Sequence, residues 1–453
     1  MILPRPVSFV RGDGEVVFDG TVHVSRVDVP AEGYRLSVAA DGVRVWASDD
    51  AGEFYARQTV RQLSGPGAFR AVPPDRVTLP VCEVVDQPRF GWRGVMLDVA
   101  RHFLPKHDLL RYVDLLAAHK LNVLHLHLTD DQGWRFESVR FPRLHEVGGW
   151  RADSRFGDRR SGGMAGRPHG GYYTQDDLRE VVAYATQRHV TVVPEIDVPG
   201  HSQAAIAAYP SLGVAGGGVW TDWGINPNVI VPEESTVDFY RQVFDEVLDV
   251  FPAEVVGLGG DETEGGDGRV VRRIAEHLHQ RGRRAFGWDE VLDRASDSTA
   301  GPLPTRMIVA SWRGEEPGLT ALERGHDVVM CPERYLYLDY RQSDDPREPI
   351  PVGTVTTLED VYGYEPPDRV LGAQVNLWTE HLDSPRRLDY AAFPRLSAFA
   401  EVVWSPAGRD VAEFRTRLAE HHLPRLDALG VEYRPLDGPR PWQELPGVPG
   451  FPR

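Results

Sequence analysis

An apolar run, Val255-Val256-Gly257-Leu258-Gly259-Gly260, ends on two consecutive acids, Asp261 and Glu262. Two adjacent carboxylates at the end of a strand suit acid–base chemistry. Most glycosidases set two carboxyls on opposite sides of the scissile bond, about 5 Å apart for retention or roughly 6.5–9.5 Å for inversion. Sequence neighbours do not straddle a sugar ring easily. If the target is a glycosidic bond, one acid therefore protonates the leaving group and the nucleophile comes from elsewhere, most economically from the substrate. An exposed acidic turn closing a strand is the plain alternative, which the pair alone leaves open.

The elements that would position such a pair follow one another regularly. From Gly91 onward, strand-like runs alternate with helical stretches. The runs are Gly94 to Val99, Val123 to Leu128, Val190 to Ile196, Val255 to Gly259, Ala285 to Trp288, Met307 to Trp312, Val328 to Cys331 and Val370 to Leu377. Apolar residues three and four apart predict helices at Lys106 to Lys120, Gln175 to His189, Ser235 to Val250 and Arg269 to Arg281. Eight strands with intervening helices predict an α/β fold, a closed (β/α)8 TIM barrel. Arg341 to Asp368, rich in Pro, Asp and Glu, predicts a missing or irregular helix after the seventh strand. An open doubly wound sheet would carry a Gly-rich loop after its first strand, and none follows Val99.

The beginning of the chain has a different texture. Val16 to Phe18, Tyr34 to Val38 and Val43 to Ala47 alternate like half-buried strands, and Gly52 to Leu63 has helical spacing, which predicts a small α+β domain. Gly65 to Pro80 reads as a loop leading through Asp86-Gln87-Pro88 into the barrel. The expected organisation is residues 1–88 for the small domain, 89–434 for the barrel and 435–453 for a Pro-rich tail.

In a TIM barrel the catalytic groups gather at the C-terminal ends of the strands. The sequence meets that demand repeatedly: Asp98 and Arg101 follow the first strand, Asp130 and Asp131 the second, and Glu195, Asp197 and His201 the third. Asp261 and Glu262 follow the fourth, Trp288, Asp289 and Glu290 the fifth, and Trp312 the sixth. Tyr335, Tyr337 and Asp339 follow the seventh, and Trp378 and Glu380 the eighth. Any one of these has an ordinary structural use, but their joint placement points to a site. Aromatic faces suit the C–H faces of a pyranose, and carboxylates accept hydrogen bonds from its hydroxyls.

Composition narrows the partner. The 453 residues, 26% of them charged, fit a soluble globular chain of more than one domain, and no stretch reaches the roughly 20 apolar residues of a membrane helix. A net charge of -17 argues against nucleic acid as partner, because that affinity rests on concentrated Lys and Arg. The first residues lack a secretory pattern, so a cytoplasmic location is the expectation. Cys82 and Cys331 read as buried free thiols.

These residues also carry a resemblance. The segments RGVMLDVARHF (Arg93 to Phe103), HLHLTDDQGWR (His125 to Arg135), PEIDVPGHS (Pro194 to Ser202), GLGGDE (Gly257 to Glu262), GWDE (Gly287 to Glu290), YLD (Tyr337 to Asp339) and NLWTE (Asn376 to Glu380) resemble the family 20 glycoside hydrolases, the β-N-acetylhexosaminidases. The motifs span Arg89 to Ser405 in order. The resemblance implies an exo-acting, retaining enzyme without a cofactor or metal, acting on oligosaccharides or glycoconjugates that end in N-acetylglucosamine or N-acetylgalactosamine. It implies that Glu262 is the general acid and then base, and that Asp261, kept ionised, orients the 2-acetamido group. It further implies Arg101, Asp339 and Glu380 as partners of the sugar hydroxyls, with Trp288, Trp312 and Trp378 as pocket walls. Tyr337 would donate to the acetamido carbonyl, and Asp130 and His201 would position the acid pair. The aglycone, the choice between the two sugars and the oligomeric state are not implied.

The same residues admit two other readings. His125 and His127, spaced i, i+2 on a strand, are how a metal-dependent amidohydrolase begins, but such a site needs later ligands where this chain has Asp-Glu and Trp, so both histidines read as strand packing. A non-catalytic sugar-binding protein would be expected to lack the acid, and Glu262 is present. The loops Arg151 to Gly171 and Gly213 to Ile225, the second with Trp220 and Trp223, are expected on the site's face, where they could shape the leaving-group side.

Overall fold

The computed structural model describes residues 1–157, 162–262, 268–294 and 303–445. Near the N-terminus, β1 (Ser8–Phe18), β2 (Val22–Arg26), β3 (Tyr34–Ala39), β4 (Gly42–Ala47) and β5 (Val77–Asp86) form one sheet in the order β1-β5-β3-β4-β2. Alternate residues Tyr34, Leu36 and Val38 of β3, and Val43, Val45 and Ala47 of β4, are buried, as the pleat requires of a one-sided sheet. The helix α1 (Asp50–Leu63) covers that face with Tyr55, Ala56, Val60 and Leu63, spaced for one helical stripe. Asp49 caps it by accepting a hydrogen bond from the Gly52 amide.

Two strands of this sheet differ from expectation. Val77 to Pro80, read as the end of a loop, begins β5, which lies between β1 and β3. Pro80 is tolerated there because it faces Glu15 beside an irregularity in β1, between Arg11 and Glu15, where the ladder is already interrupted. β2 was not anticipated either; its five residues are all partly or fully exposed and give a weak burial signal.

The rest of the chain builds the barrel. Its elements are β6 (Trp92–Asp98), α2 (Lys106–Ala118), β7 (Val123–His127), α3 (Gln175–Thr186), β8 (Thr191–Glu195), α4 (Glu234–Val250), β9 (Val255–Gly257), α5 (Arg269–Gln280) and β10 (Arg284–Trp288). There follow β11 (Ile308–Ser311), α6 (Glu316–Glu323), β12 (Asp327–Met330), α7 (Leu358–Gly363), β13 (Gly372–Leu377), α8 (Pro385–Ala392) and α9 (Arg395–Trp404). Strands β6 to β13 pair in chain order, all parallel, and β13 closes on β6 with Gly372 opposite Trp92 and Leu377 opposite Leu97. Every residue of β6, β7, β11 and β13 is buried, as expected for strands with side chains inside the barrel and helices outside it. All eight predicted strands are present. The connection after β12 holds only a single turn, Glu333–Leu336, and the six-residue α7, as its composition foretold.

The small sheet is fastened to the barrel through a buried ion pair. Lys120, at the end of the α2 connection, donates from Nζ to Asp86 at 2.8 Å, and both side chains are fully buried. Asp86 also accepts from the Tyr34 hydroxyl at 2.7 Å and from Trp404 Nε1 at 2.9 Å. Asp86 is thus a buried anchor, not a solvated linker residue. Cys82 and Cys331 are both free and buried. In the C-terminal stretch Trp442 donates to Glu432 at 2.8 Å; the rest of the tail, residues 446–453, lies outside the described residues. Among the described residues no helix is long and apolar enough to cross a membrane.

Candidate active site

The candidate groups arise from loops at the C-terminal ends of the barrel strands. After β6, Asp98 accepts from the backbone amides of Ala100 and Arg101 at 2.8 and 3.1 Å, a side-chain-closed turn that sets the direction of Arg101. Its other oxygen accepts from the amide and hydroxyl of Thr379, both at 3.0 Å, which ties this turn to the end of β13. After β9 the backbone turns through Gly259 and Gly260, at φ of 72° and 96°. A Cβ on Gly259 would lie 1.7 Å from Asp197 Oδ1, so the close approach of this turn to β8 requires glycine. The turn delivers Asp261 and Glu262. Glu262 (φ 43°) and His201 (φ 47°) are two of the six described non-glycine residues in the left-handed region, a conformation uncommon in proteins generally.

His201 joins the two acids to the residues below. Its Nε2 lies 3.4 Å from Glu262 Oε2 and 3.9 Å from Asp261 Oδ2, and its Nδ1 lies 3.2 Å from Asp130 Oδ1 and 3.5 Å from Asp131 Oδ2. Burial alone would keep this imidazole neutral, but Asp130, Asp131 and Glu262 raise its pKa well above the ordinary value. Asp130 stays ionised against the cost of burial because Arg101, at 2.8 Å, and His201 hold it well below the usual carboxylate range. Asp261 differs. Burial, reinforced by the Glu262 and Glu195 carboxylates and opposed by His201, pushes it up to about 6. It is therefore ionised only above that pH, a qualification of the sequence expectation.

Above these groups opens a cavity of about 320 Å³. Of the residues singled out in the sequence, Arg101, Asp130, His201, Asp261, Glu262, Trp312, Tyr337, Asp339, Trp378 and Glu380 line it. Trp312 stacks on Tyr337 with ring centres 6.2 Å apart, and its indole N–H donates to Glu290 at 2.9 Å. Trp288 is placed otherwise than expected. It is buried on β10 and supports the site from below, against Trp378 at 5.8 Å between ring centres, instead of lining the cavity. Arg101 Nη1, Asp261 Oδ1 and Asp339 Oδ1 are buried without a hydrogen-bond partner in the protein. Such atoms are costly unless a polar ligand meets them.

Asp197 and Trp223, noted in the sequence by position without a role, also line the cavity, as do Glu333, Tyr340 and His381, which were not singled out. Trp223, Gly224 and Gly157 come from the two loops expected on this face, of which residues 158–161 lie outside the described residues. His125 and His127 do more than pack. His125 Nε2 lies 3.0 Å and His127 Nδ1 2.6 Å from the two oxygens of Glu195, and His127 Nε2 lies 2.8 Å from Asp130. Their i, i+2 spacing was the visible signal; the carboxylates that receive them lie on a neighbouring strand and in a loop.

Comparison with known proteins agrees with this geometry. Residues 90–407 match the profile of the glycosyl hydrolase family 20 catalytic domain, and residues 12–87 that of glycosyl hydrolase family 20, domain 2. A β-hexosaminidase of Porphyromonas gingivalis is 37% identical over 89% of this chain, which spans only 54% of that relative's length. The solved β-N-acetylhexosaminidase of Streptomyces coelicolor superposes with a TM-score of 0.85 at 28% identity, covering 99% of this chain and 98% of its own. The exo β-N-acetylglucosaminidase of Vibrio harveyi, solved in complex with N-acetylglucosamine, gives 0.83 at 30% identity, covering 96% of this chain and 78% of its own. With both profiles matched in order and the site residues gathered at one end of the barrel, the chain belongs to glycosyl hydrolase family 20.

Proposed function

We propose that this protein is an exo-acting, retaining β-N-acetylhexosaminidase that removes a terminal, non-reducing β-linked N-acetylglucosamine or N-acetylgalactosamine from an oligosaccharide or glycoconjugate. The observation that carries the reading is the unequal exposure of the two adjacent acids. The Glu262 side chain is 33% exposed to the cavity side, whereas that of Asp261 is 11% exposed and presents one unpartnered buried oxygen. An accessible acid suits a leaving-group oxygen, and a buried acceptor suits an amide N–H. The acetamido carbonyl oxygen attacks C1 while the C1–O bond breaks and the departing oxygen takes the proton of Glu262. Asp261 accepts the acetamide N–H and stabilises the positive charge of the resulting oxazolinium ring. Water then gives a proton to Glu262 and attacks C1, the ring's C1–O bond breaks, and the acetamide is restored with the original anomeric configuration, one of the exceptions to two-carboxylate catalysis.

Arg101, Asp339 and Glu380 take the ring hydroxyls; Trp312 and Trp378 wall the acetamido group and ring; Tyr337 donates to the acetamido carbonyl. Trp288 braces that wall from beneath. The N-acetylglucosamine held by the V. harveyi relative supports this substrate class. The test compares an aryl β-N-acetylglucosaminide with the aryl β-glucoside, using wild type and Glu262→Gln. Cleavage of the acetamido sugar alone, lost in the variant, is the expected result. Equal cleavage of both sugars, or of neither, contradicts the proposal.

A further inference from the structure

Below the acids, a run of buried side chains continues into the barrel and has no part in the reaction as drawn above. Glu195, on β8, receives one histidine on each oxygen: His125 Nε2 at 3.0 Å and His127 Nδ1 at 2.6 Å, both from β7. The amide of Gln374 faces His125 Nδ1 at 3.2 Å, so His125 accepts there and donates from Nε2. His127 has a carboxylate oxygen against each nitrogen, Glu195 on one side and Asp130 at 2.8 Å on the other. A neutral imidazole carries one N–H and cannot donate to both. Asp130 in turn divides its oxygens: Oδ2 takes His127 and Arg101, and Oδ1 takes His201.

Resting on the reaction proposed above, we propose that Glu195 is a positioning residue for the general acid. By receiving both histidines it keeps His127 doubly protonated, which fixes the rotation of Asp130 and so aims His201 at Glu262. Other groups facing this run are consistent with that role. Trp378 lies edge-to-face on His127 with centres 5.1 Å apart, and Trp288 and Phe286 flank His125, so those neighbours offer no competing carboxylate. The other nearby acids are Asp131 and Glu262, which face His201, and Asp197 and Asp261; burial raises Asp131, Asp197 and Asp261 above the ordinary carboxylate range. Glu195 and Asp130 are both held low against the cost of burial, Glu195 by the two histidines that face it and Asp130 by Arg101 and His201. Removing Glu195's charge leaves His127 without a reason to keep its second proton, and Asp130 to be held by Arg101, His201 and the Asp131 amide without the opposing pull of His127.

Glu195→Gln keeps the volume and removes the charge. On a phenyl glycoside, whose oxygen needs the proton, kcat should fall roughly tenfold to a hundredfold, within the ~10²–10⁴ that a placed general acid contributes. KM should hold within about twofold, and a dinitrophenyl glycoside, which leaves without a proton, should lose less than about threefold. Carbon-13 histidine NMR of the full chain, with signals assigned by single substitutions, reads the run without turnover. His127 should be doubly protonated at neutral pH in wild type and neutral in the variant, with the His201 signal displaced. A neutral His127 in wild type overturns the proposal even if the variant fails to fold. So does an unmoved His201 signal, or equal losses on the two glycosides, in a folded variant. If wild type cleaves neither glycoside, the proposed reaction fails instead, and the NMR alone decides the role of Glu195.

Discussion

At the scale of single residues, the two neighbouring acids should fail in different ways. Glu262→Gln should lower turnover of a phenyl glycoside by about 10²–10⁴ and spare a dinitrophenyl one far more, as expected for loss of a proton donor. Asp261→Asn should in addition weaken an inhibitor that mimics the oxazoline; unchanged inhibitor affinity would refute its assigned role. Asp261 also predicts a pH dependence. Its carboxyl is pushed up to about 6 by burial and neighbouring acids, so it is protonated below that pH and cannot accept the acetamide N–H. Activity should therefore rise as pH increases through about 6, and a kcat/KM profile should lose this limb in Asp261→Asn. Which residues were legible follows from how they act. Asp261, Glu262, Arg101 and His201 show themselves by type and by position at strand ends. The contacts of Glu195 are invisible in the sequence, because its histidine partners lie 70 and 68 residues away and meet it only when β7 and β8 pair side by side. Trp288 misled for a related reason. Its type and strand end were right for a pocket wall, and it does face the barrel interior with Trp312 and Trp378, but it is buried among Phe286, His125 and Trp378 and does not line the cavity.

At the scale of elements, the placement of Asp261 and Glu262 depends on the turn after β9. Gly259→Ala would place a Cβ against the Asp197 carboxylate and ask alanine for a φ of 72°. The left-handed conformation alone costs about 1–2 kcal/mol, and the clash adds to it. Denaturant unfolding should show a loss of more than about 2 kcal/mol, with activity falling further because Asp197 must move; a stable, active variant would refute the close approach. The barrel strands were readable because parallel strands buried on both faces appear as short, largely apolar runs, of which β11 and β12 are examples. β5 was hidden by its own Pro80 and by the Pro-rich stretch before it, and only its pairing on both sides explains why it is a strand. β2 buries too little to leave a pattern.

At the scale of the whole molecule, the Lys120–Asp86 pair binds the small sheet to the barrel. Lys120→Met would leave Asp86 charged and buried with no cationic partner, only the neutral donors of Tyr34, Trp404 and the Val7 and Gln87 amides. Breaking one side of such a pair costs about 3–5 kcal/mol, which urea unfolding should register. Acid should also weaken the fold through the buried histidine pair His119 and His422, whose Nε2 atoms lie 2.9 Å apart. Burial lowers His119 from 6.5 to about 4, so the unfolded chain takes up the proton first. Stability is full above about 6.5 and falls as pH drops toward 4; a pH-independent melting temperature over that window would contradict this. All of this architecture serves a site at which, under the proposed reaction, the substrate supplies its own nucleophile. The most direct test is a series of aryl N-acylglucosaminides whose acetamido methyl is progressively fluorinated, which drains the carbonyl oxygen without changing the sugar. A steep fall in kcat/KM with each fluorine is predicted; a flat series would show that the carbonyl does not attack C1 and would contradict the proposed reaction.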